Sequence, residues 1–229
     1  MPRPKAPLIK PTEAVATALE VIDRDGLEGF NIRKLAQELG VNPSSLYHHF
    51  HDKNEILNRV CLLVLEESRV FAPLRVDAKW QVLVKKMVGQ YRRALMRHPN
   101  VAPLMTPNGP LGNFSDSLGR RGVTEMLGEG VPSRYIYPII DSINSLAYGS
   151  ALLNPQSSGD EAPRAQTPTS DVPGLSEVLR SAPKSPDRLF EMQVDALLEG
   201  WTAILEREKA KAEAPARKRK TGRTGNRAS

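Results

Sequence analysis

The chain has one cysteine, Cys61, among 229 residues. A single thiol excludes an intramolecular disulfide framework and fits a reducing compartment. Aromatic residues make up only 5% of the chain, and β-branched runs are scarce. A sheet-built core is therefore disfavoured, and an all-α fold is the expectation. No uncharged apolar run approaches the roughly 20 residues that span a bilayer. The opening "MPRPKAPLIKP" has no apolar stretch of signal-peptide length, so a soluble, cytoplasmic protein with no membrane partner is expected. No internal repeat is visible. A Ser-His-Asp elbow, a phosphate-binding glycine loop, metal-ligand spacing and a paired-carboxylate arrangement are all missing, so neither an enzyme nor a bound cofactor is expected.

Apolar residues supply 40% of the chain, enough for a core. The net charge of +6 is unevenly placed. From Arg207 onward nine Lys/Arg face two Glu, so the tail carries +7 and the preceding 206 residues carry −1. Residues 1–53 hold seven basic and seven acidic groups. The basic balance thus does not by itself point to nucleic acid; an anion-binding surface on the folded part must come from local placement.

Hydrophobic spacing divides the chain. Residues 1–10 read as a flexible basic arm. Val15, Ala18, Leu19 and Ile22 stand at i, i+3, i+4 and i+7, which predicts an amphipathic helix over Thr12–Asp25 stopped by Gly26. Asn31 reads as an N-cap for a second helix containing Ile32, Leu35, Ala36 and Leu39 and ended by Gly40. Asn42-Pro43 opens a third helix, expected to reach Phe50. Asp52 and Glu55 form an Asp version of the capping box that starts a fourth helix running to about Val70. Later helices are predicted over Asp77–His98, Phe114–Leu127, Pro132–Leu153 and Pro186 to about Glu208. The Pro- and Ser-rich stretch from about 154 to 185 reads as a mobile loop with one short helix at Leu175–Arg180. Residues 209–229 have the composition of a disordered basic tail. Cys61, in "RVCLLVLEE", is expected as a small buried hydrophobe.

The stretch "IRKLAQELGVNPSSLYHHF" carries the chemistry. Two short helices joined by a glycine turn would bury Leu35, Leu39, Val41 and Leu46 against helix one. The outer face of the second helix then presents Ser44, Ser45, Tyr47 and His48. Hydroxyl, phenol and imidazole groups can bond to phosphates or base edges, and no carboxylate on this face repels phosphate. That pattern fits a helix placed in the major groove of duplex DNA. A polar outer face with no function is the plain alternative. His48, His49 and His51 also invite a metal reading, but helical neighbours point about 100° apart and no Cys pair is near. No metal is expected, and Lys34 is expected as a solvated charge.

The longer segment "GLEGFNIRKLAQELGVNPSSLYHHFHDKNEIL" resembles the N-terminal DNA-binding domain of TetR-family transcriptional repressors. The shared features are a glycine ending helix one, Arg-x-Leu-Ala-x-x-Leu-Gly-Val, x-Leu-Tyr-x-His-Phe and Asp-Lys-x-x-Leu. "YRRALMRHP" and the long loop look like the tetracycline-repressor branch. The resemblance implies a helix-turn-helix domain over 11–57 and a ligand-binding and dimerisation domain over 58–208. Arg33 would reach a base edge or phosphate, and Ser44 and Ser45 would lie at recognition positions. Tyr47, His49 and Lys53 would contact phosphates, with Lys53 aided by a helix dipole. Asn31 stands where Thr is common. Pro43 replaces a residue that often reads bases, which shifts weight to DNA shape, Arg33 and His48.

The two apolar helices at Pro132–Leu153 and Pro186–Glu208 have more greasy surface than a small domain needs. They suit either an ordinary core or a four-helix interface between two chains, and the resemblance favours a homodimer. It also implies a small, partly apolar effector, with Tyr91, His98, Met105, Phe114, Met126, Asn144 and Tyr148 as candidate lining. The expectation is a ligand-responsive repressor on a palindromic operator. A sequence-tolerant, nucleoid-type DNA binder without an effector is the alternative.

Overall fold

The computed structural model describes residues 9–69, 79–105, 117–153, 174–183 and 185–213. Among these residues the fold is all-α. Nine α-helices follow in order: α1 Pro11–Gly29, α2 Ile32–Glu38, α3 Pro43–Leu46, α4 Lys53–Glu67, α5 Trp80–Arg97, α6 Ser117–Gly128, α7 Ser133–Leu153, α8 Leu175–Ser181 and α9 Pro186–Glu213. A 3-10 turn, Ala102–Met105, lies between α5 and α6. No helix among the described residues is long and apolar enough to cross a membrane.

The N-terminal helices arise where the spacing predicts them. α1 buries Val15, Ala18, Leu19 and Ile22, the stripe that a 3.6-residue period aligns. Its helical geometry breaks at Gly26, whose φ of 75° suits a residue without Cβ. α4 is capped by Asp52 Oδ1, which accepts from Glu55 N at 2.8 Å. Glu55 Oε2 in turn accepts from His51 N at 2.6 Å, one residue earlier than in the standard reciprocal box. α4 passes through the expected boundary at 57/58 without a break. Ile56, Leu57, Val60, Cys61, Val64 and Leu65 along it all enter the core packed around α1.

Two buried clusters organise the molecule. The first joins α1–α4 to the end of α5 and the following turn through Ala94, Leu95, Val101, Ala102 and Met105. The second lies in the body and includes Trp80, Val88, Ile136, Ile139, Ile143, Phe190, Val194 and Leu198. Tyr91 packs against both. α5 and α7 make the most extensive helix pair. Burying stripes of this size stabilises by roughly 25 cal/mol per Å² of apolar surface removed from water.

Several boundaries differ from expectation. α3 is helical only over Pro43–Leu46, not to Phe50. The Leu46 carbonyl accepts from both His49 N and Phe50 N at 2.9 Å, which closes a turn that brings Phe50 inward just before the Asp52 cap. α9 continues to Glu213, so the first five residues assigned to a disordered tail are helical; Lys211 pairs with Glu208 at 3.0 Å there. Phe114, residues 1–8 of the basic arm, most of the 154–185 stretch and residues 214–229 lie outside the described residues, while Ile9, at the end of the arm, is buried in the first core.

Candidate nucleic-acid interface

The reading unit is α2, a turn and α3. Asn31 Oδ1 accepts from Lys34 N at 2.9 Å and starts α2. At its other end Gly40 takes φ 65°, while Gly40 N donates to Gln37 O and Val41 N to Ala36 O. These bonds satisfy the last carbonyls of α2 and reverse the chain, and the left-handed conformation is why glycine stands there. Asn42 precedes α3 without a side-chain cap bond, and Pro43 supplies the preset φ of the first turn.

Leu46 and Phe50 are buried and anchor this turn. With those two inward, Ser44, Tyr47, His48 and His49 face solvent and Ser45 is half-buried. Tyr47 is 57% exposed, unusual for a large aromatic with nothing to cover it. Arg33 is exposed on α2, with no ion-pair partner among the described residues. The structure thus places Arg33, Ser44, Tyr47, His48 and His49 on the outer surface of one small unit, with Ser45 half-buried among them.

Lys53 is placed differently from a free phosphate ligand. Its Nζ donates to Phe30 O at 2.9 Å and sits 5.4 Å from the Phe30 ring centroid. The ammonium therefore ties the start of α4 to the start of α2, with two N–H groups left to offer. Lys34 is not a solvated charge: its Nζ lies 2.7 Å from Asp25 Oδ2. Asp25 also binds Arg24 at 2.9 Å, and Arg24 reaches Glu38 at 2.6 Å. The Arg24 guanidinium, then Lys34, pull the Asp25 carboxyl down to about 2. These pairs bind α1 to α2 and neutralise carboxylates that would otherwise repel phosphate.

The candidate ligand lining separates. Tyr91 and Tyr148 pack on the head-side core, where Met105 is buried. Burial, reinforced by Tyr148 and Cys61, pushes the Tyr91 hydroxyl up to about 12. Met126 lies in the other cluster, and Asn144 is half-buried on α7. His98 is buried, and its Nδ1 is 2.8 Å from Asp23 Oδ2 on α1; its Nε2 has no partner among the described residues. Sequence reasoning passed over Asp23 and Asn100, whose Nδ2 donates to Ile22 O and Asp23 O at 3.1 and 3.0 Å. It also passed over Arg92, which is only 3% exposed. Arg92 follows Val84 and Val88 at four-residue steps, and that position on the apolar stripe was the available signal.

A helix-turn-helix with an exposed outer face, packed on a larger helical body, is the arrangement of a DNA-binding transcriptional regulator. Residues 14–60 match the sequence model described as "Bacterial regulatory proteins, tetR family", which assigns α1 through the first half of α4 to that family's DNA-binding domain. It is 24% identical over 206 residues to the class A tetracycline repressor of Escherichia coli, covering 84% of this chain and 90% of the relative. The fold is similar to a variant of TetR from Acinetobacter baumannii AYE in complex with minocycline. That likeness has a TM-score of 0.69 and 23% identity, over 86% of this chain and 95% of the other. It is also similar to the Streptomyces coelicolor TetR family protein ActR in complex with actinorhodin. There the TM-score is 0.65 and the identity 25%, over 86% and 98% of the two chains.

Proposed function

We propose that this regulator is a ligand-responsive repressor. It binds a palindromic operator as a homodimer and is released by a small, partly apolar effector. The observation that carries the reading is the outward placement of Ser44, Tyr47, His48 and His49 with Arg33 beside them, while Leu46 and Phe50 hold the unit to the core. One such unit makes few contacts, so useful affinity calls for two units spaced about a helical turn apart. Two helices supply a surface for pairing: α7 exposes Tyr137, Leu152 and Leu153, and α9 exposes Met192. The effector reading is supported by the ActR complex with actinorhodin and by the Tyr91, Tyr148 and Met105 group at the junction of head and body.

Selecting duplex sites from a random pool with the full chain, then measuring affinity at two salt concentrations, tests the operator reading. An enriched inverted repeat is the expected result. A pool without enrichment, bound with a steep salt dependence, would instead mark a sequence-tolerant binder.

A further inference from the structure

A cavity of about 180 Å³ opens between α5 and α9. Its lining includes four cations, Lys85, Lys86, Arg92 and Arg93, and two carboxylates, Asp187 and Glu191. The carboxylates do not balance the cations locally. Lys85 is held by Asp195 at 2.5 Å, and Glu191 leans toward Arg188 at 3.4 Å. Lys86 and Arg93 have no ion-pair partner among the described residues. The N-terminal turns of α9 also face this space through Asp187 and Phe190, and add the positive end of a long helix dipole.

Arg92 is the buried cation of the set. Its Nε donates to Ser150 Oγ at 2.9 Å and its Nη1 to Asp187 Oδ1 at 2.5 Å. Its guanidinium carbon lies 4.9 Å from the Phe190 ring centroid. Nη2 has no partner among the described residues. A guanidinium is always charged and offers five donors, so a buried one with an unfilled edge is incomplete. Gly89 is a second observation. A Cβ there would meet only the Arg93 guanidinium, at 3.7 Å, an ordinary contact. Packing does not require the glycine, yet glycine weakens a helix interior. Its effect is to leave the space between Lys86 and Arg93 open.

We propose that this cavity is a binding site for a small oxyanion, a carboxylate or a phosphate, held by Lys86 and Arg93 at the mouth and Arg92 beneath. Planar guanidinium forks match such groups, and lysine adds a point charge. The volume is close to that of a cavity that encloses one benzene ring, so the site takes one anionic group with at most a small apolar body. The inference goes beyond the operator reading and does not depend on it.

Benzoate and inorganic phosphate are the probes. Thermal unfolding of the full chain is followed while each probe replaces chloride at constant ionic strength and pH. The expected result is a saturable rise in the unfolding midpoint with one or both probes, and the stronger probe names the class. Binding is expected to weaken at least tenfold in Gly89→Leu, which fills the cavity without changing charge, and in the Lys86→Ala/Arg93→Ala double variant. It is expected to strengthen in Asp187→Asn, which removes the carboxylate charge that competes with the anion for Arg92. The basic tail is the same in every variant, so its anion binding cancels. Equal shifts in the wild-type chain and the double variant would overturn the proposal even if Gly89→Leu failed to fold.

Discussion

His98 Nδ1 lies 2.8 Å from Asp23 Oδ2, so the end of α5 is held against the last regular turn of α1. Asn100 adds two bonds to the carbonyls of Ile22 and Asp23, just before the helix breaks at Gly26. These contacts join the body directly to the reading head. Asn100→Ala removes a two-carbonyl cap and is expected to lower stability by about 1–3 kcal/mol, the cost of leaving partly buried acceptors unpaired. Urea denaturation gives the magnitude. Hydrogen exchange at α1 should quicken, and unchanged exchange there would mean the junction does not hold the head.

Operator affinity is expected to fall by roughly 1–3 kcal/mol in Arg33→Ala, the cost of one base or charged contact. Tyr47→Phe removes one hydroxyl and should cost less. Both side chains are exposed, so helix content measured by circular dichroism should not change. Fluorescence anisotropy on a labelled operator reads the loss. If neither variant binds more weakly, the outward face of α2 and α3 is not the reading face.

Periodicity was sufficient to place the helices, because amphipathic stripes repeat at the helical period, but it did not bound all of them. The reading unit was legible because Leu46 and Phe50 are the apolar positions of the segment and turn inward, which leaves Ser44 on α3 and Tyr47 in the turn after it facing solvent. Contacts distant in sequence were not legible. Nothing local indicates that Lys34 meets Asp25, that Lys53 reaches Phe30 O, or that His98 meets Asp23 across 75 positions. The early end of α3 was hidden too, because it depends on one carbonyl accepting two bonds. The candidate ligand lining scattered because apolar residues at helical spacing mark burial, not which of two cores receives them.

Lys53 separates a stability role from a DNA role. Lys53→Met keeps a side chain of similar length but loses the bond to Phe30 O and the ammonium beside the Phe30 ring. Stability should fall by about 1 kcal/mol, the typical net worth of one hydrogen bond. If the remaining N–H groups also serve phosphate, operator affinity should fall and the salt dependence should shallow by about one charge. A loss of stability with unchanged salt dependence would leave Lys53 as a structural tie alone.

Pairing of two chains through α7 and α9 requires their exposed apolar side chains to be covered. Leu153 is 81% exposed and Tyr137 51% exposed. Tyr137→Glu combined with Leu152→Glu should raise the dimer dissociation constant by at least roughly tenfold, equivalent to about 1.4 kcal/mol. Each chain should stay folded, because neither side chain enters the core. Sedimentation analysis over a concentration series reads the effect. A mass unaffected by the two charges would place the dimer contact elsewhere.

Cys61 provides a test of the head-side core through pH. It is buried, and burial pushes its thiol from 9.0 up to about 11. In the unfolded chain the thiol releases its proton from about pH 9, whereas the folded chain holds it to about 11. Between those values the folded state binds more protons, so stability must fall as pH rises. The contribution is complete below about 9 and gone above about 11. Tyr91 adds loss in the same direction from 10.0 to about 12. Cys61→Ala should therefore be less stable than the wild type at pH 7.5, by roughly 1 kcal/mol of lost burial. That gap should narrow or close at pH 10.5, where the variant has no thiol to ionise. Urea midpoints for the two proteins at both pH values check this. The native thiol should also react with alkylating reagents only as fast as the core opens. A gap that stays constant with pH, or rapid alkylation of the folded chain, would show that Cys61 is not sealed among α1 and α4.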